Sequence, residues 1–128
     1  MAVVVDSSVL IDVLLGEQIA AVHRALSEAT LVLSPLVIAE VLSGDLTPQQ
    51  REMIGELLQD YVLHPTPLEH WMNVGNLRRL LRSRGINATI PDAHVAQCAI
   101  DLDALLLTRD DVFLRIAEHT TLRLDQLR

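Results

Sequence analysis

The chain contains no lysine. All ten of its basic residues are arginine, and 17 acidic residues bring the net charge to −7. Mechanisms that depend on a lysine are therefore excluded, including Schiff-base chemistry, the phosphate-binding P-loop and lysine-assisted phosphoryl transfer. The acidic balance also argues against a protein that holds nucleic acid through a broadly basic surface. A polyanionic substrate would need bound cations or a local arginine cluster.

Cysteine, aromatic residues and long apolar runs are also scarce. The single cysteine, Cys98, excludes a disulfide framework and a cysteine zinc cluster, and is typical of a reducing compartment. Only 2% of the chain is aromatic whereas 50% is hydrophobic, so the core must be aliphatic. No apolar run reaches the roughly 18 residues of a membrane span, and the N-terminus has no basic leader. We expect one cytoplasmic domain over residues 1–128, with no membrane association.

Short apolar strands alternate with helices along the whole sequence. Apolar, β-branched runs predict strands at 2–5, 31–33, 61–63 and 104–107, with a candidate edge strand at 122–124. Apolar periodicity and cap residues predict helices at 9–15, 19–28, 36–42, 48–59, 68–84, 91–100 and 110–117. This alternation predicts a parallel sheet covered on both faces, which is a three-layer α/β/α domain. The pattern does not determine the order of the strands.

Acidic residues follow the ends of the predicted strands, where open parallel sheets form their sites. Asp6 comes directly after the first strand, Asp110 follows the fourth, and Asp92 begins the helix that leads into the fourth. Each aspartate taken singly is as readily a helix cap as a site residue. Glu40 stands alone in an apolar helix, where an unpaired carboxylate is costly and should have a cation or hydrogen-bond donors nearby.

Four clustered carboxylates would repel one another, and the chain has no lysine to neutralise them. Hard divalent cations such as Mg²⁺ take oxygen ligands and share them with substrate phosphates. Masking all four carboxylates with metal would leave −3 of the net −7, so part of the chain's acidity would belong to the site. A carboxylate cluster at strand ends is typical of a metal-dependent phosphodiesterase.

Four segments of the sequence resemble the PIN-domain ribonucleases, and within that family the small VapC-type toxins of bacterial toxin–antitoxin pairs. They are 3–11 (VVVDSSVLI), 34–42 (SPLVIAEVL), 91–99 (PDAHVAQCA) and 106–113 (LLTRDDVF). The segments occur in the family's order and at its usual spacing, and the similarity covers essentially the whole chain. The resemblance implies a single PIN domain, a three-layer α/β/α sandwich with a mainly parallel central sheet.

The resemblance also implies which residues form the site. The catalytic and metal-binding residues would be Asp6, Glu40, Asp92 and Asp110, with Ser7 and Thr108 as supporting polar groups, and the cofactor would be Mg²⁺ or Mn²⁺. The fourth acid departs from the family pattern, which often reads Thr-x-Asp-x-Asp-Phe.

In this chain Val112 takes the place of that pattern's second aspartate, and Asp111 is an extra acidic neighbour that could substitute. We select Asp110 as the fourth acid because its spacing from Thr108 is kept.

The activity implied is metal-assisted hydrolysis of RNA phosphodiester bonds. The protein would be the toxin of a toxin–antitoxin pair, neutralised by a small cognate antitoxin, and would form a homodimer. The alternative is a catalytically silent PIN-like domain that binds RNA or protein. Retention of all four acids favours the nuclease, since a scaffold has no reason to keep a repelling carboxylate cluster.

Arginine residues supply candidate contacts to RNA phosphates. The densest basic cluster lies at the end of a predicted helix and comprises Arg78, Arg79, Arg82 and Arg84. Its alternative interpretation is a solvated helix end that interacts favourably with the helix dipole. Arg109 is a further phosphate candidate, and its alternative is a salt bridge to Asp111. Asp12, on the first predicted helix, is assigned only a solvated role.

Overall fold

Short strands and helices alternate through the described residues, which are 1–57, 59 and 61–127 of this computed structural model. The elements are, in chain order, β1 (Val3–Val5), α1 (Ser7–Leu14), α2 (Ala20–Ser27), β2 (Leu31–Leu33), α3 (Pro35–Leu42), α4 (Pro48–Leu57), β3 (Val62–Leu63), α5 (Leu68–Ser83), α6 (Ile90–Asp101), β4 (Leu105–Thr108), α7 (Val112–Ala117) and β5 (Arg123–Gln126).

Side-chain caps explain where several helices begin. Helix α1 starts two residues before the predicted position because the Asp6 carboxylate accepts a hydrogen bond from the Val9 backbone nitrogen at 3.0 Å. Helix α3 begins at Pro35 after a Ser34 cap, as the serine–proline pair predicts. Helix α4 reaches residue 57, and residue 58 of its predicted span lies outside the described residues.

The five strands form one parallel sheet in the order β3-β2-β1-β4-β5. The chain adds β2 and β3 on one side of β1, then returns to place β4 and β5 on the other side. In such sheets the crevice at the point of reversal, outside the carboxyl ends of the strands, is where ligands bind. The reversal here lies between β1 and β4, where Val5 pairs with Leu107.

Both faces of the central strands are covered. Consecutive residues of a strand point to opposite faces, and Leu31, Val32 and Leu33 are all buried. The predicted three-layer α/β/α arrangement is therefore confirmed. Among the described residues, the buried apolar side chains are aliphatic apart from Cys98 and Phe113, the single phenylalanine. No helix within the described part of the chain is long and apolar enough to cross a membrane.

Candidate active site

A small acidic cavity opens where β1 and β4 end, at the reversal point of the sheet. Its volume is about 110 Å³, and it is lined by Asp6, Ser7, Ser8, Glu40, Pro91, Asp92, Val95, Asp110 and Phe113. All four carboxylates selected from the sequence are among these residues, together with Ser7. The fold thus brings together acids that are far apart in the chain, because Asp6 and Asp110 follow β1 and β4 and Asp92 lies in the first turn of α6.

The Asp6 carboxylate is held on both oxygens. Its Oδ1 accepts hydrogen bonds from Ser8 Oγ at 2.8 Å and from the Val9 nitrogen at 3.0 Å, and its Oδ2 accepts one from Thr108 Oγ1 at 2.6 Å. Asp6 is 7% exposed. A carboxylate has about four acceptor positions, so three donors orient this group and still leave a lone pair for a cation.

The loop after β4 places the fourth acid. Thr108 is buried, and its hydroxyl oxygen accepts a hydrogen bond from the Asp110 nitrogen at 3.0 Å while the hydroxyl donates to Asp6. Asp110 in turn accepts a hydrogen bond from the Val112 nitrogen at 3.0 Å, which delays the start of α7 to Val112. Asp111 instead accepts a hydrogen bond from Gln126 Nε2 at 2.6 Å. Asp110 lines the cavity, and Asp111 is not among the residues that line it.

Asp92 has two roles in the same position. It forms a capping box with Thr89, in which Thr89 Oγ1 accepts from the Asp92 nitrogen at 3.1 Å and Asp92 Oδ2 accepts from the Thr89 nitrogen at 3.2 Å. The carboxylate also lines the acidic cavity. Capping and membership of the site are therefore compatible here, and capping fixes the carboxylate at the rim of the cavity.

The pKa of Glu40 depends on its burial and on the negative charge of its neighbours. Its side chain lies at the exposed edge of α3, yet partial burial, the charge of Asp92 and the charge of Asp6 together raise the pKa of Glu40 above its ordinary value. The effect of Asp92 and Asp6 on this pKa shows that the three carboxylates interact across the cavity.

The donor set of the cavity suits a hard divalent cation. The polar side chains that line it offer carboxylate and hydroxyl oxygens, which Mg²⁺ and Mn²⁺ prefer, rather than the imidazoles and thiolates that select zinc. Sequence reasoning missed Ser8 as a group that orients Asp6. Its position two residues after the aspartate, at the start of a helix, is the local signal that could have identified it.

The predicted arginine cluster divides into two parts. Arg78 and Arg82 line a recess of about 250 Å³ beside Thr89, the residue that caps the helix carrying Asp92. Arg78 Nε donates to the Ala88 carbonyl oxygen at 3.0 Å. The other two members lie elsewhere: Arg79, on α5, lines a separate recess, and Arg84 follows the last residue of α5.

Arg109 does not form the salt bridge to Asp111 that was its alternative interpretation. Its Nε lies 2.9 Å from Asp12 Oδ2, and its Nη2 lies 2.5 Å from Glu17 Oε1. The purely solvated role assigned to Asp12 is also wrong, because Asp12 pairs with this guanidinium. A phosphate that bound Arg109 would have to share it with two carboxylates.

Comparisons with known proteins agree with this architecture. The chain matches the PIN domain over residues 3–119. Its structure is similar to VapBC2 from Rickettsia felis bound to a promoter DNA fragment (TM-score 0.82, 19% identity, 100% of each chain covered). It is also similar to DNA-bound VapBC from Salmonella typhimurium (TM-score 0.83, 15% identity, 98% of each chain covered).

A third similar structure is VapBC-5 from Mycobacterium tuberculosis, a member of the VapBC family of toxin–antitoxin systems. Its TM-score is 0.70 at 20% identity, and the match covers 99% of this chain and 100% of that one. No curated protein matches the sequence. At these identities the structural matches establish the fold, and the domain match establishes the family.

Proposed function

Because the chain belongs to the PIN-domain family, we propose that it is an Mg²⁺- or Mn²⁺-dependent endoribonuclease that hydrolyses RNA phosphodiester bonds. The observation that carries this proposal is the acidic cavity itself. Four carboxylates that come from separate parts of the chain line one small cavity at the reversal point of the sheet. Repelling groups of one sign, collected in this way, are best explained by a cation that they bind together.

Each side chain of the cavity has a role in this chemistry. Asp6 and Asp92 would hold the ion, and Glu40 and Asp110 would complete its oxygen ligands. When bound, the ion neutralises charge on the scissile phosphate and lowers the pKa of a water molecule. Glu40, whose pKa is raised, is suited to orient that water and take its proton.

The hydrolysis forms one bond and breaks one. The water oxygen attacks phosphorus, the bond from phosphorus to the 3′ oxygen breaks, and the 3′ oxygen takes up a proton. The products are a 3′-hydroxyl and a 5′-phosphate, and the 2′-hydroxyl takes no part.

RNA would enter along the side of the cavity that carries positive charge. Arg78 and Arg82 lie beside the loop that ends in Thr89, so they are placed to contact phosphates that flank the scissile one. Three arginines are weaker candidates. Arg79 lines a separate recess and Arg84 lies just beyond the end of α5, while Arg109 pairs with Asp12 and Glu17.

We propose further that the protein is the toxin of a toxin–antitoxin pair. The support is structural: the similar structures described above are VapBC assemblies, one of them named as a member of a toxin–antitoxin family. A net charge of −7 suits a basic segment of a small cognate antitoxin directed at the acidic cavity. We expect a twofold homodimer, and light scattering that shows a strict monomer at tens of micromolar would contradict it.

Cleavage of RNA by the purified protein tests the nuclease proposal. Asp6→Asn should reduce Mn²⁺-dependent cleavage by at least about 100-fold, because it removes a charged ligand while keeping the size of the side chain. Asp45→Asn is the matched control, since Asp45 is exposed and is not among the residues that line the cavity.

Three outcomes would contradict the metal-dependent mechanism: equal cleavage by wild type and Asp6→Asn, equal loss in the Asp45→Asn control, or undiminished wild-type cleavage in EDTA. Binding of RNA without any cleavage would favour the catalytically silent alternative.

A further inference from the structure

A buried cluster of imidazoles lies between α5 and α6, apart from the acidic cavity. Three of the chain's five histidines belong to it, and His64, His70 and His94 are 3%, 2% and 0% exposed. The only cysteine, Cys98, is buried beside them, with its sulfur 3.7 Å from His94 Nε2. Histidine is intermediate in its tendency to be buried, and three together in an aliphatic core call for an explanation.

Hydrogen bonds join these side chains into a continuous line. Asp101 Oδ2 lies 2.6 Å from His70 Nδ1, His70 Nε2 lies 2.7 Å from His94 Nδ1, and His94 Nε2 lies 2.8 Å from Ser34 Oγ. The Trp71 indole stacks on the His94 ring with 4.6 Å between centroids and 7° between planes. The line runs from the last residue of α6 to the residue that caps α3.

When the rings are neutral, the groups at the two ends of the line, Asp101 and Ser34, determine which nitrogen of each ring carries the proton. The Asp101 carboxylate can only accept, so His70 donates to it from Nδ1 and accepts at Nε2 from His94. His94 then accepts at Nε2 from the Ser34 hydroxyl. Gln97 Nε2 donates to the other oxygen of Asp101 at 2.8 Å. Each ring nitrogen of His70 and His94 is thereby matched with a partner.

The same pairing argues against a second metal site. Donor atoms of His64, His70 and Cys98 lie within 4.8 Å of one another, close enough to consider one. However, the Thr66 nitrogen donates to His64 Nδ1 at 2.9 Å, and His64 Nε2 faces Asp101 Oδ2 at 3.2 Å. The ring nitrogens are committed to one another, to Asp101, to Ser34 and to the Thr66 backbone, so the cluster is a self-contained hydrogen-bond network.

One bond of this network connects the two helices that carry acids of the cavity. Ser34 caps α3, where its Oγ accepts from the Val37 nitrogen at 3.1 Å, and α3 carries Glu40. His94 lies on α6, two residues beyond Asp92. Glu40 and Asp92 both line the acidic cavity, where their like charges repel each other. Their separation therefore depends on what holds α3 against α6.

We propose that His94 is a positioning residue of the acidic site. By binding the Ser34 hydroxyl, it holds Glu40 and Asp92 at the separation that a shared divalent cation needs. His70 and Asp101 fix the orientation of the His94 ring, and Trp71 covers its face. This inference rests on the proposed function, but it concerns how the site is held rather than what the site does. His94 is fully buried and acts through Ser34, not on the substrate.

Calorimetric titration of Mn²⁺ into the folded full-length protein tests this role without measuring cleavage. His94→Leu should raise the Kd for Mn²⁺ by about tenfold or more, as loss of groups that orient metal ligands does elsewhere. Ser34→Ala should do the same, whereas Ser34→Thr keeps the hydroxyl and should remain close to wild type. If His94→Leu does not fold, the difference in Kd between Ser34→Ala and Ser34→Thr tests the same role.

The matched control is His64→Leu. It removes a buried imidazole from the same cluster but leaves the bond between Ser34 and His94 in place. We expect it to lower stability and leave the Kd for Mn²⁺ unchanged. An equal rise in Kd for His64→Leu and His94→Leu would overturn the positioning role, because both variants would then act only by loosening the core.

The decisive comparison uses Glu40→Gln as a background. If His94 acts by setting the position of Glu40, then His94→Leu should no longer change the Kd once the Glu40 charge is gone. The same fold-change in both backgrounds overturns the inference and leaves the proposed function intact. A wild-type protein that binds no Mn²⁺ overturns both.

Discussion

The protein carries two groups of polar side chains against an aliphatic core, and they differ in how their charges and hydrogen bonds are balanced. The acidic cavity collects four groups of one sign, and hydrogen bonds from Ser8 and Thr108 orient Asp6 without cancelling its charge. The histidine network collects three imidazole rings and one carboxylate, and its donors and acceptors match when the rings are neutral. The network is satisfied by described residues of the chain, whereas under the proposed function the cavity is completed by a cation.

Breaking the histidine network should cost more stability than neutralising an acid of the cavity. His70→Leu leaves both Asp101 and His94 with an unpaired atom, so we expect the free energy of unfolding to fall by about 3 kcal/mol. Asp92→Asn, without metal, should change it by less than about 1 kcal/mol, since lost capping is offset by relieved repulsion. Urea denaturation in EDTA measures both, and equal losses would contradict the contrast.

Acid should weaken the network before it disturbs the rest of the fold. Burial, with the charges of His70 and His64, lowers the pKa of His94 to about 4, against 6.5 in the unfolded chain. The unfolded state therefore binds the proton first. The contribution of neutral His94 to stability is fully present above pH 6.5 and is lost as pH falls from 6.5 towards 4. The loss from this group is up to about 3 kcal/mol. Unfolding free energies in EDTA between pH 7 and 4.5 measure it, and His94→Leu should flatten the profile.

Divalent cations should act on the cavity and leave the network unchanged. At a Mn²⁺ concentration one hundred times the Kd, binding to the folded state alone stabilises wild type by about 2.7 kcal/mol. Asp92→Asn should lose most of the corresponding rise in thermal midpoint, while His64→Leu should keep it from a lower starting point. If wild type and Asp92→Asn respond identically to Mn²⁺ and Mg²⁺, the assignment of Asp92 as a ligand is wrong.

The smallest expected effect is a gain in stability from Glu40→Gln without metal. The raised pKa of Glu40 means that its charged form is less favourable in the folded state than in the unfolded chain. Stability is therefore lost as pH rises from the ordinary value of 4.5 through the raised pKa, and the loss persists at pH 7. Glu40→Gln should unfold at a higher temperature than wild type at pH 7, and this difference should disappear near pH 4. If Glu40→Gln is less stable than wild type at pH 7, the charged Glu40 side chain does not destabilise the fold.

Local signals in the sequence were sufficient for most of the fold. The run before Asp6 and the run at 31–33 are apolar on every residue, so both faces had to be buried, and they form β1 and β2. The last strand is predicted at 122–124 but runs from Arg123 to Gln126. Its residues alternate between exposed and half-buried at the sheet edge, so its apolar signal is weak. Strand order could not be predicted, since periodicity describes a strand's faces and not its neighbours.

Groups that depend on long-range packing left no local trace. Arg109 pairs with Asp12 across 97 residues, and the sequence offered Asp111, its near neighbour, instead. The histidine network joins positions 34, 70, 94 and 101 with no motif to connect them. The acidic cavity could be predicted because its acids have local signals. Asp6 and Asp110 follow strands, Asp92 stands at a helix start, and Glu40 is the lone charge in an apolar helix.

The pairing of the first strand with β4 also determines when the cavity can exist during synthesis. Thr108 and Asp6, which share a 2.6 Å hydrogen bond, are 102 residues apart in sequence. At ribosomal rates of about 5–20 residues per second, roughly 5 to 20 s separate the emergence of these two residues. Until then β1 lacks its pairing with β4, and Asp6 lacks its buried donor Thr108. The nascent chain therefore carries the first acid through the synthesis of about 100 further residues before a complete site can form.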